Sequence, residues 1–185
     1  MVSNRIAQYQ PAEAEPGIQP DILVVEDDAE IAESIGRRAL EYFDRPVLLA
    51  GSLFEANAAM DDRRPTIAIV DMLLSDGEAT ELLLRLERDG VPAVAVVTAA
   101  ADIRRATLAM RTGAADFLIK PYTDEQLVAT FERMHRKLAQ HEAAERLRKH
   151  ADAVEQTNQQ LRLKIDILCK DLVAGYQKLV TRMTQ

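Results

Sequence analysis

Four apolar runs of the chain end in residues able to handle a charged oxygen group. Glu26-Asp27-Asp28 follow Ile22-Leu23-Val24-Val25, and Asp71 closes Ile67-Ala68-Ile69-Val70. Thr98 follows Ala93-Val94-Ala95-Val96-Val97, and Lys120-Pro121 follow Asp116-Phe117-Leu118-Ile119. Three carboxylates meeting at one edge repel one another unless a cation holds them. Oxygen-only ligands favour a hard ion, with Mg2+ the usual choice where phosphate is handled. A carboxylate beside such an ion can attack a phosphoryl group as a nucleophile. A lysine ammonium and a threonine hydroxyl can then hold the oxygens of the transferred group, mainly by position and electrostatics. Taken singly, an acidic residue after a strand reads as well as a helix N-cap, and Asp28 fits that role. The full set, spread over four runs, is more than capping explains.

The elements that must position these residues follow from hydrophobic rhythm. Short continuous apolar runs mark strands buried on both faces. The run at 22–25 precedes helical spacing from Ala29 to about Phe43, and Val47–Ala50 precedes a helix near Phe54–Met60. Ile67–Val70 precedes a helix near Ala79–Arg88, and Ala93–Val97 one near Ile103–Arg111. Asp116–Ile119 precedes a helix that begins near Thr123. Five strand–helix pairs with short connections predict an α/β fold, a doubly wound five-stranded parallel sheet covered on both faces. In such sheets chemistry collects beyond the carboxyl ends of the strands, where the polar residues above fall.

At this point the chain resembles the receiver domain of two-component response regulators, over about residues 20–140. The resemblance rests on LVVEDD (23–28), DMLLSDG (71–77), VVTAA (96–100) and GAADFLIKP (113–121). It implies that Asp71 is the phosphoacceptor and that Asp27 is a direct Mg2+ ligand. It further implies that Glu26 supports the ion through water and that the Leu73 carbonyl supplies another ligand. Thr98 then binds the phosphoryl group and couples it to the switch, and Lys120 pairs with phosphoryl oxygens or neighbouring carboxylates. Phe117 matches the family's rotating aromatic, and the peptide before Pro121 is expected to be cis. The phosphodonor implied is a sensor histidine kinase or phosphotransfer protein. Four positions depart from the pattern. Ser75 stands where proline is common, Glu26 replaces aspartate, and neither Leu73 nor Ala100 offers a group to orient an attacking water, so a long-lived phosphoryl group is expected.

A receiver alone would end near residue 140, whereas here the last helix continues without Gly or Pro as far as Gly175. Leu147, Ala151, Val154, Asn158, Leu161, Ile165, Leu168 and Leu172 are spaced alternately by four and three, the seam of a left-handed coiled coil. Asn158 falls at an a position, which favours a parallel homodimer in fixed register. Phe131, Met134 and Leu138 follow a seam one residue out of phase, which places a hinge near His141–Arg146. Leu161, Leu172 and Met183 sit eleven apart, and Leu163 and Ile167 form a short second stripe. The expected organisation is a flexible leader at 1–20, a receiver at 21–140 and a helical coiled-coil extension at 141–185.

Composition excludes several function classes. Net charge is −7, with 12 basic against 21 acidic residues in 1–122 and 11 against 9 in 123–185, so neither half is a basic footprint for nucleic acid. Arg146, Arg148 and Lys149 read as a solvated face. His141-Glu142 resembles one element of a kinase phosphodonor box without the rest. One cysteine, Cys169, excludes an intramolecular disulfide. No apolar run is long enough for a membrane helix and no secretory h-region opens the chain, so a soluble, cytoplasmic protein is expected. No catalytic signature beyond self-phosphorylation chemistry is visible. The function read from these features is a response regulator that accepts phosphate on Asp71 and signals through a coiled-coil dimer to a protein partner. The alternative is the regulatory part of a longer enzyme or transcription factor.

Overall fold

In the computed structural model, which describes residues 7–9, 21–99 and 113–183, all five apolar runs form strands. In chain order the elements are β1 (Ala7–Tyr9), β2 (Ile22–Val25), α1 (Ala29–Phe43), β3 (Val47–Ala50), α2 (Leu53–Asp62) and β4 (Ile67–Asp71). They continue with β5 (Leu73–Leu74), β6 (Gly77–Glu78), α3 (Thr80–Arg88), β7 (Ala93–Ala99), β8 (Asp116–Lys120) and α4 (Asp124–Met183). The expected helix at 103–111 and Ala100 lie outside the described residues.

The main sheet has the order β1-β3-β2-β4-β7-β8. The five strands from β3 to β8 are mutually parallel, giving the flavodoxin-like receiver fold expected. The chain leaves β2 toward β3 on one side and toward β4 on the other, so the crevice between β2 and β4 is the topological switch point.

One element departs from the expected leader at 1–20. Ala7–Tyr9 adds an antiparallel edge strand, with Ala7 opposite Leu49 and Tyr9 opposite Val47. Three residues are too few to show a period, and an edge strand pairs through main-chain groups that a side-chain pattern does not report.

Side chains alternate along the buried strands, and each parity feeds one layer. Leu23, Val25, Ala68, Val70, Val94 and Val96 pack with Ala56 and Met60 of α2 and Leu82, Leu83 and Leu86 of α3. Ile22, Val24, Ile67, Ile69, Ala95 and Val97 pack with Ile35 and Ala39 of α1 and Leu127, Phe131, Met134 and Leu138 of α4. The upstream stripe of the last helix is therefore core, not seam.

α4 runs 60 residues as one helix. Contacts divide the chain into two units, Met1–His141 and Glu142–Gln185. At the expected hinge, His141–Arg146, the backbone is α-helical, the residues being strong helix formers with no Gly or Pro. Within the second unit Leu147, Ala151, Val154, Asn158, Leu161, Ile165, Leu168 and Leu172 are all exposed. The second-stripe residues Leu163 and Ile167 are exposed as well.

Candidate functional site

β2 and β4 run side by side, Val25 opposite Val70, so Glu26 and Asp71 emerge together at the switch point. Oxygens of Glu26, Asp27 and Asp71 can all lie within 4.8 Å of one another. Glu26 is 2% and Asp71 6% exposed, whereas Asp27 is open to solvent. Asp28 is taken up elsewhere: it is the N-cap of α1, its carboxylate accepting the Glu30 and Ile31 amides.

Lys120, the last residue of β8, reaches across the site. Its Nζ donates to Glu26 Oε2 and to Asp71 Oδ2, each at 2.6 Å. The other oxygen of Asp71, Oδ1, accepts the Leu73 amide at 3.0 Å. The Lys120–Pro121 peptide is cis, as expected.

Electrostatics follow from this crowding. Burial pushes the Glu26 carboxyl above its ordinary value, the Lys120 hydrogen bond opposes that, and the Asp71 charge adds to it. Burial pulls the Lys120 ammonium down, but its bonds to Asp71 and Glu26 outweigh that and leave it raised. The ammonium is thus the counter-charge of a buried carboxylate pair.

Thr98 lies in β7, opposite Ile119 of β8. It is 3% exposed, and its hydroxyl has no hydrogen-bond partner among the described residues. A buried hydroxyl left without a partner calls for an account, and an oxygen-rich group arriving at the strand ends would supply one. Phe117, three residues before Lys120 on β8, is 38% exposed.

The donor set suits a hard divalent ion. Glu26, Asp27 and Asp71 offer oxygen alone, two of the three are buried, and no sulfur or nitrogen ligand is among them. Leu73, whose carbonyl is the expected further ligand, lies two residues past Asp71 in β5. The structure thus brings Glu26, Asp27, Asp71, Leu73 and Lys120 together, with Thr98 at the adjoining strand end. Phe117 stands apart on the strand, and the seam residues from Leu147 to Leu172 lie in the second unit.

Two groups escaped the sequence reading. Asp76, within the DMLLSDG motif, accepts the Leu53 and Phe54 amides at the start of α2. Asp116 accepts the Thr130 hydroxyl at 2.6 Å and the Arg133 guanidinium at 2.5 Å, tying the start of β8 to α4. Nothing in the local pattern marks the second.

A family model described as Response regulator receiver domain matches residues 22–132. The transcriptional regulatory protein DpiA of Escherichia coli (strain K12) is 34% identical over 119 residues, 63% of this chain and 52% of its own length. The DNA-binding response regulator MtrA of Mycobacterium leprae (strain TN) is 36% identical over 111 residues, 58% of this chain and 48% of its own. The chain therefore spans about half the length of these curated relatives. A response regulator receiver domain protein (CheY-like) from Methanospirillum hungatei JF-1 superposes with a TM-score of 0.58 at 27% identity, over 66% of this chain and 96% of that one.

Proposed function

This chain belongs to the response regulator receiver domain family, and on that premise we propose that Asp71 accepts a phosphoryl group from a histidine kinase or phosphotransfer protein. We propose further that a receiver at 21–140 passes this signal, through a coiled-coil homodimer at 141–185, to a protein partner. The observation that carries the reading is the buried Asp71 carboxylate, held by the Leu73 amide on one oxygen and by Lys120 on the other.

An Asp71 oxygen attacks phosphorus, the bond from phosphorus to the donor nitrogen breaks, and its electron pair stays with the donor imidazole. The product is an acyl phosphate. Lys120 is placed to exchange a carboxylate for a phosphoryl oxygen, and the Thr98 hydroxyl to gain the partner it lacks among the described residues. Mg2+, when bound by Glu26, Asp27, Asp71 and the Leu73 carbonyl, supplies charge neutralisation between carboxylates and phosphate. Phe117 lacks a hydroxyl, so its part in the switch is packing. Such a chain is a signalling module whose only chemistry is its own phosphoryl transfer and hydrolysis.

For the tail, the seam of exposed residues supports a two-stranded coil. Ile165 at an a position with Leu161 and Leu168 at d favours a parallel dimer, and Asn158 at a fixes register. The basic residues beside the seam are engaged within the helix: Arg146 lies 3.9 Å from Glu142 and Arg148 3.6 Å from Glu145. That favours a solvated face and a protein partner over nucleic acid.

The relatives' greater length favours a second reading, a receiver that regulates an effector beyond residue 185. Among the described residues no helix is long and apolar enough to cross a membrane, in keeping with the cytoplasmic location proposed here.

A small phosphodonor with Mg2+ tests the site. Intact mass spectrometry should show one added phosphoryl group in the wild type and none in Asp71→Asn, whose amide is not a nucleophile. A phosphoryl group mapped to another residue would refute the assignment.

A further inference from the structure

The hairpin β5–β6 follows Asp71 directly and is anchored at its base and along one face. The Ala79 amide donates to the Met72 carbonyl at 3.1 Å, and the Met72 amide to the Val97 carbonyl at 2.9 Å. Met72 and Leu74 are buried in the layer beneath α2 and α3. The tip, Ser75-Asp76, has no such apolar anchor and is exposed.

What holds the tip is α2. Asp76 Oδ1 accepts the Leu53 amide at 3.0 Å and Oδ2 accepts the Phe54 amide at 3.2 Å. These are the first amides of the helix, which have no acceptor within it, at the end where the dipole favours an anion. α2 does not need Asp76 for its cap, since Ser52 Oγ already accepts the Glu55 amide at 3.1 Å. The Asp76 carboxylate is therefore a cross-link between two elements. Gly77, at φ +147°, fits the same contact closely: a Cβ there would meet Leu53 Cδ1 at 3.2 Å.

Leu73 lies between the fixed base and this tip, and its amide is one of the two groups that hold the Asp71 carboxylate, the other being Lys120. We propose that Asp76 is a positioning residue for the phosphoryl-transfer site: by pinning the hairpin tip to α2 it fixes the Leu73 main chain, and through it the Asp71 carboxylate. The inference rests on the reading of Asp71 as phosphoacceptor and assigns Asp76 a part in it that Ser75, placed where proline is common, leaves more important. A proline stiffens such a loop from within, whereas here the constraint comes from outside the hairpin.

The experiment compares wild type, Asp76→Ala, Asp76→Asn and Ser52→Ala by two readouts. One is hydrogen exchange at the Leu73 amide in chelator, with neither ion nor donor present. The other is Mg2+ affinity by calorimetry, with Asp27→Ala as the variant lacking a direct ligand. Asp76→Ala should exchange Leu73 about five- to tenfold faster, the scale of a lost cap. It should bind Mg2+ about tenfold more weakly, the low end for a supporting residue, and less weakly than Asp27→Ala. Asp76→Asn, with one acceptor for the two amides, should fall between. Ser52→Ala weakens α2 but not the cross-link, and should leave both readouts within about twofold of wild type.

Unchanged Leu73 exchange in Asp76→Ala would overturn the proposal. So would an equal change in Ser52→Ala, which would make the effect one of helix stability alone. Should Asp76→Ala not fold, the comparison is read on Asp76→Asn, and wild-type behaviour there refutes the proposal. A wild type that takes no phosphoryl group on Asp71 would sink the functional reading instead, while the exchange result would still stand or fall by itself.

Discussion

Replacing Lys120 with methionine keeps most of the apolar stem and removes the ammonium that lies 2.6 Å from both Glu26 Oε2 and Asp71 Oδ2. Two carboxylates, 2% and 6% exposed, then share a site with no counter-ion. Removing one partner of a buried ion pair costs about 3–5 kcal/mol. The Lys120 side chain keeps 19% of its exposure, so water shares the load and the lower figure, about 3 kcal/mol, applies. At roughly 2–4 °C per kcal/mol for a chain of this size, Tm should fall by about 6–12 °C near pH 8 in chelator.

The loss has a direction in pH. Burial already holds the Glu26 carboxyl above 4.5, and the variant removes the hydrogen bond that pulls it down. A folded-state value above the unfolded one means that the folded protein binds more protons, so its stability is lost as pH rises through that window. Lys120 in the wild type is raised above 10.5 and stays charged throughout this range. The gap between variant and wild type should therefore be smallest near pH 4.5 and widen toward pH 8. Millimolar Mg2+ should narrow it, because an ion bound only by the folded state adds stability by mass action. Thermal unfolding by circular dichroism, at both pH values and with chelator or Mg2+, measures all of this. A variant as stable as wild type in chelator near pH 8, or a loss independent of pH, would refute the ammonium's role as counter-charge.

Further outcomes are expected elsewhere. Leu168→Asp places a charge in the proposed seam of both chains, so sedimentation equilibrium at tens of micromolar should find a dimeric wild type and a monomeric variant. Burial of each such side chain is worth about 1.5–3 kcal/mol, enough for one charge to undo the pairing; a monomeric wild type would refute the homodimer. Thr130→Val removes, from a residue 2% exposed, the hydroxyl that donates to Asp116; it should cost about 1–3 kcal/mol in urea unfolding and leave the phosphorylation rate unchanged.

Much of the site was legible because its residues sit where apolar runs end. A buried parallel strand has nothing to do with a charge, so Asp71 at the close of Ile67–Val70 and Lys120 after Leu118-Ile119 declare themselves by being out of place. The same logic gave five strands and the order of their helices. It could not give β1, whose pairing to β3 runs through the main chain. Nor could it give the duties of Asp76 and Asp116, whose partners lie 22–23 and 14–17 residues away in sequence and are two amides, a hydroxyl and a guanidinium, groups common enough along the chain to carry no signal.

The last helix was legible in its two stripes but not in what divides them. Phe131, Met134 and Leu138 fill the core beneath the sheet. The next seam residue is Leu147, nine positions on. Nine residues at 3.6 per turn make two and a half turns, so the apolar stripe changes sides of the helix between Leu138 and Leu147. Between the two stripes the residues are Ala, Gln, His, Glu and Arg, and their backbone is α-helical. The first stripe is buried among Ile22, Val97 and Leu118, and the seam residues from Leu147 to Leu172 are exposed. Inserting two or three glycines at 141–146 should abolish any phosphorylation-dependent change in the dimer seen by sedimentation equilibrium if the helix carries the proposed signal from Asp71 to the seam, and a change that survives the insertion would refute that route.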